Sequence, residues 1–411
     1  MIKRCLHEFL HCCRVAVIYI VKVLMVLIPK NNHLIVFTSW FGKKYADNSR
    51  FVFEYMLNHY PDYSIFWYVT DKLLYQDLKK KGLPVIYSKT LYAVWKQIRA
   101  KVLVGSIDLS EYNPYFLSGC VFFNLAHGHI IKNPGDIVNN KRTTDFYLLL
   151  RKGIDYYSIV CVAKRPFQDV DSNNDITEKL GKKKVLTLGF ARNDMFYNPS
   201  LRMGLNENIK QIAKNKILIS YLPTHRSDGK NPIHINSIMD LKEIDRICEE
   251  YNAVFIIKKH FYHRFEKEEV SEYKNIFDFT DDMSIDTQEL LYETSILISD
   301  YSACFVDYLL LDRPIVLYQY DYEHFKNNER DFLIPFDKVK ISSYPKNKIE
   351  LNKELKRILN NSLLDGFSEG RRLVRNEYFD EGITNNVSER VASLIIKKSQ
   401  ESVNREWQIK Q

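Results

Sequence analysis

Twelve apolar runs of four to eight residues recur along this 411-residue chain, at 33–38, 63–70, 83–88, 101–106, 121–126, 157–163, 184–188, 216–222, 253–259, 275–279, 296–299 and 314–320. Amphipathic stretches lie between them, at 48–60, 72–81, 91–100, 237–251, 284–294 and 303–311. Runs this short, apolar on both faces, suit strands that are covered on both sides. Alternation of such strands with helices predicts an α/β architecture with parallel sheets. A polar stretch at 198–215 interrupts the pattern, and 411 residues exceed what one core usually serves. Two Rossmann-like halves with a cleft between them are therefore expected. The tail from Ser368 onward reads as helices crossing back to the first half.

Four polar signatures stand where apolar runs stop: His127-Gly128-His129-Ile130-Ile131-Lys132, Leu188 to Asp194, Tyr221 to Arg226, and Ser299-Asp300-Tyr301-Ser302. Ligands of open α/β sheets bind outside the carboxyl ends of the strands, so these segments predict one shared cleft. His127 at a strand end is placed to act as a general base, because imidazole ordinarily titrates near neutrality. Gly128 lets backbone approach a ligand closely, and Lys132 can meet a phosphate as a point charge. Thr224 and Arg226 end another strand, with His260 at the end of a third. Ser302 is read as the N-cap of a helix opening at Ala303, and helix N-termini bind phosphate. Asp307, in an otherwise apolar helix, needs a partner, either substrate hydroxyls or an Arg across the cleft. The alternative for each segment is local: a His satisfied in a turn, a solvated Lys, a capping Ser without a ligand.

Charge is concentrated at the amino end. Of a net +8, the segment before Asn31 supplies half, with Lys3, Arg4, Arg14, Lys22 and Lys30 against Glu8. The apolar run at 15–28 has fourteen residues, about 21 Å as a helix against a hydrocarbon core of about 30 Å, so it is too short to span. No small-residue cleavage site follows it. Basic residues around an apolar helix fit a segment lying on an anionic membrane surface; a helix packed on the first half is the alternative. Nucleic acid is not expected as a partner, since no RNP, zinc-finger or helix-turn-helix pattern accompanies the charge. Seven cysteines without a C-x-x-C pair point to a reduced, cytoplasmic compartment. H-x-H and H-x-x-H pairs at 127–129 and 260–263 lack neighbouring acidic or Cys ligands, so no metal or other cofactor is expected. P-loop, G-x-S-x-G and G-x-G-x-x-G signatures do not occur.

Asp47-Asn48-Ser49-Arg50 after Phe41-Gly42-Lys43, His127-Gly128 with Lys132 and Gly135, Gly189 to Asp194, Tyr221 to Arg226, Lys259-His260, and Ser299 to Asp307 with Arg313-Pro314 occur in this order. In that combination the chain resembles the CDP-glycerol glycerophosphotransferase family, the teichoic acid primases and polymerases and related capsule polymerases, from about Asn32 to about Val391. The resemblance implies a GT-B-like fold with an N-terminal amphipathic helix at 1–31, an acceptor domain at 32–200, a CDP-donor domain at 201–370 and C-terminal helices at 371–411. It implies a cytoplasmic, peripheral membrane enzyme that takes CDP-glycerol or CDP-ribitol and extends a lipid-linked saccharide or polymer. His127 becomes the base and His260 a contact to the donor phosphates. Gly128, Lys132, Arg192, Asn193, Asp194, Thr224, Arg226, Ser302 and Asp307 become donor-binding positions. The chain departs from the family pattern at Ala191, Ala303, His225 and His129-Ile130-Ile131, which bears on donor geometry. A sugar-nucleotide glycosyltransferase on the same scaffold, releasing a nucleoside diphosphate, and a non-catalytic membrane scaffold are the rival functions.

Overall fold

The computed structural model describes residues 13, 15–25, 27–129, 131–132, 154–161, 184–202, 207–226, 233–260, 263, 267–282, 284–329, 331–334, 336, 338–379 and 384–401. Gly135, Arg14 and the segment 1–12, all named above, lie outside the described residues.

All twelve expected strands form, usually one or two residues shorter than the apolar run that predicts them. The first sheet holds β1 (Asn31–Phe37), β2 (Ser64–Val69), β3 (Val85–Tyr87), β4 (Ala100–Gly105), β5 (Val121–Asn124), β6 (Asp155–Val160) and β7 (Lys184–Thr187), in the order β3-β2-β1-β4-β5-β6-β7. The second holds β8 (Ile217–Leu222), β9 (Ala253–Ile257), β10 (Ile276–Asp278), β11 (Ile296–Ser299) and β12 (Ile315–Leu317), in the order β10-β9-β8-β11-β12. Every pairing is parallel. In each sheet the order reverses beside its first strand, between β1 and β4 and between β8 and β11. Those two points are where a doubly wound sheet opens a crevice.

Helices cover the faces. Residues 15–25 form α1; α2 (Asp47–His59), α3 (Lys72–Lys80) and α4 (Leu91–Arg99) follow in the first half. In the second half come α5 (Leu241–Glu250), α6 (Thr287–Glu293), α7 (Cys304–Tyr308) and α8 (Lys348–Asn360), then α9 (Ser368–Tyr378) and α10 (Val387–Gln400). The helix expected at 237–251 is broken, because the Asp240 carboxylate accepts from Glu243 N and starts α5 afresh. The helix expected at 303–311 closes after Tyr308 into a 3-10 turn, Leu309–Leu311, that ends on Asp312 in the left-handed region. The stretch 198–215 holds a helix, Glu207–Ala213, with Ile209 buried. As expected of the tail, α10 leaves the second half and packs on α2, β1, β4 and β5 through buried Val387, Val391, Ala392 and Ile395.

One face of α1 packs on the first half through Ile18 and Lys22, both buried, and Lys22 donates to Leu117 O. The other face leaves Val17, Ile20 and Leu24 exposed at 49, 58 and 52%, and Leu27 in the turn that follows is 77% exposed. Burial lowers the Lys22 ammonium to about 8, and Lys30 donates to Ile98 O at 2.5 Å. Two of the basic residues expected to face lipid are thus turned inward to cap carbonyls. Among the described residues no helix is long and apolar enough to cross a membrane.

Candidate active site

The segments leaving the two switch points face each other. From the first sheet, β1 runs into Thr38-Ser39-Trp40, β4 into Ser106, and β5 into His127. From the second, β8 runs into Thr224-His225-Arg226, β9 into His260 and β11 into Asp300-Tyr301-Ser302. Trp40 stands between the two candidate histidines, its ring centroid 5.3 Å from that of His127 and 6.2 Å from that of His260. His225 adds a fourth ring, 4.7 Å from His260.

His127 is exposed, and its Nδ1 lies 3.2 Å from Ser106 O. A carbonyl only accepts, so Nδ1 carries a proton, and in the neutral ring the lone pair is then on Nε2. This is the tautomer a general base requires. His260 is partly buried in cationic surroundings. Burial, then His225, Lys44, Lys132 and His263, hold its imidazolium form far below the usual range, so it stands neutral. The cations that disfavour a proton there favour an anion. Lys132 Nζ donates to Thr224 Oγ1 at 2.8 Å, joining the two halves across the cleft, and Lys44 Nζ lies 5.3 Å from the Trp40 ring centre.

Other expected phosphate contacts are engaged elsewhere. Arg226 donates to Asp300 Oδ2 and Asp321 Oδ2, each at 2.9 Å, to Thr224 O and to Tyr320 Oη. Asp300 also accepts from Thr224 N at 2.8 Å. Arg226 thus shapes the loop that carries Thr224 instead of presenting a free guanidinium. Ser302 lies one residue before the N-cap, which is Ala303, and α7 has no side-chain cap. Its expected capping role therefore gives way to a partly buried position at the strand end.

Arg192, Asn193, Asp194 and Asp307 sit beneath the cleft floor. Arg192 is 9% exposed and donates to Asp47 Oδ1 at 2.9 Å, His127 O at 2.7 Å and Asp307 Oδ2 at 2.5 Å. Asp47 and Asp307 hold its guanidinium charged against the cost of burial. Asn193 Nδ2 donates to Asp307 Oδ1 at 3.0 Å, and Gln288 donates to Asn193 Oδ1 at 2.7 Å. Burial pushes the Asp307 carboxyl up, against the pull of Arg192. Of the two partners expected for Asp307, the Arg across the cleft is the one present. Beside this network Arg50 Nη1 reaches Asp286 at 3.2 Å. In this structure Nη1 and Nη2 of Arg192 tie the first half to the second, and Nε has no hydrogen-bond partner among the described residues. Gly128 has φ 140°, and a Cβ there would stand 3.0 Å from Arg192 Nη2, so its missing side chain makes room for Arg192. Asp194 accepts from Val387 N and Ser388 N at 2.8 and 2.7 Å, capping α10. His129 lies among Phe190, Tyr378 and Phe379, and burial followed by Arg192 keeps it neutral.

Sequence reasoning missed Trp40 and Glu111. Trp40 Nε1 donates to Asp47 Oδ2 at 3.1 Å, and Trp40 and Phe41 both hold positive φ, 49° and 58°. Glu111 is buried, its carboxyl pushed up by burial to about 7. The only local signal for Glu111 was its place six residues past a strand-end glycine, in a stretch where Ser, Asp and Asn neighbours make a carboxylate ordinary. Among the described residues no group of three or more His, Cys, Asp or Glu could hold a metal ion.

A family model described as CDP-Glycerol:Poly(glycerophosphate) glycerophosphotransferase matches residues 20–397. The chain is similar to the teichoic acid poly(glycerol phosphate) polymerase of Bacillus spizizenii, 28% identical over 335 residues that cover 76% of this chain and 80% of that protein. It is also similar to the teichoic acid ribitol-phosphate polymerase TarK of Staphylococcus aureus, 28% identical over 178 residues, 41% of this chain and 34% of that one. Its fold is that of the wall teichoic acid polymerase TagF, with a TM-score of 0.68 at 20% identity over 98% of this chain and 100% of the other.

Proposed function

Because this chain belongs to the CDP-glycerol:poly(glycerophosphate) glycerophosphotransferase family, we propose that it moves an alditol phosphate from a CDP-alditol to a hydroxyl of a lipid-linked acceptor, in the synthesis of a teichoic-acid-like polymer. The observation that carries this reading is the pairing of an exposed His127, its Nδ1 turned to Ser106 O and its Nε2 without a hydrogen-bond partner among the described residues, with the cationic pocket around His260. The acceptor hydroxyl loses its proton to His127 Nε2 while its oxygen attacks the alditol-bearing phosphorus. The bond from that phosphorus to the bridging oxygen breaks, and CMP leaves with the electron pair. Lys132, Lys44 and His260 meet the charge on the diphosphate, which is electrostatic stabilisation where charge develops. The diphosphate also favours a proton on His260, which then becomes a donor toward the leaving phosphate. No step requires a metal.

The TarK resemblance keeps CDP-ribitol beside CDP-glycerol as a donor. The exposed apolar face of α1 supports attachment to the surface of a membrane on the cytoplasmic side, lying in the interface. A second exposed apolar group on α4, Leu91, Tyr92 and Trp95, is tied to the end of that segment by the Lys30 bond to Ile98 O. With Lys22 and Lys30 turned inward, the described part of this segment offers the membrane apolar contact.

Nucleotide release tests the reaction. Purified protein is incubated with acceptor lipid and, separately, CDP-glycerol, CDP-ribitol and common sugar nucleotides. CMP with one CDP-alditol is expected; a nucleoside diphosphate from a sugar nucleotide would make the protein a glycosyltransferase instead. His127→Ala should lower turnover by about a hundredfold or more, and unchanged turnover would remove it from the mechanism.

A further inference from the structure

His127 is held by two side-chain contacts, the Nδ1 bond to Ser106 O and the edge-on packing against Trp40. Both are delivered by backbone that a single buried carboxylate gathers. Glu111, 3% exposed at the end of the 3-10 turn Leu109–Glu111, accepts from Ser106 N at 2.7 Å, from Ile107 N at 2.8 Å and from Phe41 N at 3.3 Å. Ser106 Oγ also donates to it at 3.2 Å, and itself accepts from Trp40 N at 3.2 Å. The carboxylate therefore clamps the loop after β4 to the loop after β1.

Two features show how far the local chain is bent to this end. Consecutive non-glycine residues at positive φ, Trp40 and Phe41, are strained and persist only where surrounding contacts over-determine them. A Cβ on Gly105 would stand 2.3 Å from Glu111 Oε2, so β4 ends in a glycine where the carboxylate must reach the amides. A buried carboxylate needs such a set of donors to be tolerated at all.

We propose that Glu111 is a positioning residue for His127: by fixing the Ser106 carbonyl and the Trp40 ring it sets the Nδ1–H tautomer and the aim of Nε2, without touching substrate. The proposal rests on the reading of His127 as the base. It assigns catalytic weight to a side chain that sits behind the cleft wall, in the way outer partners fix the tautomer of a ligating or catalytic imidazole.

The test is a double-mutant cycle. Glu111→Gln keeps the shape but replaces an acceptor oxygen with an NH2 that faces backbone amides. Turnover with a CDP-alditol and acceptor lipid is expected to fall about tenfold or more, with KM for the nucleotide changed less than about twofold. In a His127→Ala background the same substitution should cost less than about twofold, because the group it positions is gone. Glu111→Asp should recover part of the loss. 15N-histidine spectra should show His127 as the Nδ1–H tautomer in the parent and a mixture in Glu111→Gln. An equal loss in both backgrounds, or an unchanged tautomer, overturns the proposal. Should His127→Ala leave turnover intact, the base assignment fails, and the tautomer spectra still decide whether Glu111 orients this ring. If Glu111→Gln does not fold, Trp40→Leu removes one of the two side-chain contacts that the clamp delivers to His127; it should lower turnover in the parent and not in His127→Ala, and unchanged turnover in the parent counts against the proposal.

Discussion

Replacing Arg192 with Met removes the charge that joins the two halves while keeping most of the apolar stem. Asp47 and Asp307, both buried, lose their common partner, and His127 O loses a donor at 2.7 Å. Removing one partner of a buried ion pair costs about 3–5 kcal/mol, and the abandoned carbonyl adds to it, so about 5 kcal/mol is expected. At about 2–4 °C per kcal/mol for units of 150–250 residues, the melting temperature should drop by about 10–20 °C. The deficit should depend on pH with a definite sign. Without the guanidinium, burial raises the folded-state pKa of Asp307 further above its unfolded value. Such a group favours the folded state below its unfolded pKa and loses that contribution as pH rises through the folded one. The variant should therefore lie closer to the parent at pH 5 than at pH 8. Arg192→Met combined with Asp307→Asn should recover stability, since the second change removes one stranded charge. Calorimetric melts at both pH values measure all three effects. A deficit below about 1 kcal/mol, the range of solvated pairs, or one that does not vary with pH, would refute the buried-tie argument.

Two further outcomes follow from buried histidines and from α1. His129 and His260 are held neutral in the fold, so each lowers stability as pH drops below about 6.5, while the raised Glu111 carboxyl acts with the opposite sign over the same range. The imidazole part is read from a variant: His260→Asn should gain stability relative to the parent from about pH 6.5 to about pH 5, and a difference that does not change with pH would contradict this. Ile20→Glu with Leu24→Glu should release the protein from phosphatidylglycerol vesicles in co-sedimentation at unchanged melting temperature, since both side chains are exposed. Retention of the double variant would place membrane contact elsewhere.

The sheets were legible because burial on both faces writes itself as a continuous apolar run, and all twelve runs became strands. Strand ends were less so: where β5 gives way after Asn124, the apolar Leu125 and Ala126 continue the pattern while the backbone has already turned. The helix break at Asp240 was written locally, as a carboxylate three residues before Glu243, and was passed over because the apolar spacing runs through it. In the site, His127, Lys132, Thr224 and His260 stand at the cleft, since a polar side chain after a buried strand has few other places to go. Arg192, Asp194 and Gly128 follow strands too, yet serve the interior. A sequence does not distinguish a guanidinium facing solvent from one facing two carboxylates that lie 145 residues upstream and 115 downstream. Trp40 was invisible for a related reason: its importance lies in backbone conformation and in what it stands between.

The return of α10 to the first half has a consequence for how the protein is made. Its buried face, Val387, Val391, Ala392 and Ile395, completes the layer over α2, β1, β4 and β5, all of which emerge from the ribosome about 260 to 360 residues earlier. At about 5–20 residues per second, that apolar groove waits on the order of ten seconds to a minute for its cover. The carboxylate of Asp194 waits with it, since the amides of Val387 and Ser388 are its partners. The first half is thus the earlier to be synthesised and the later to be finished, so a chain stalled anywhere in the second half carries an open hydrophobic seam for chaperones to find.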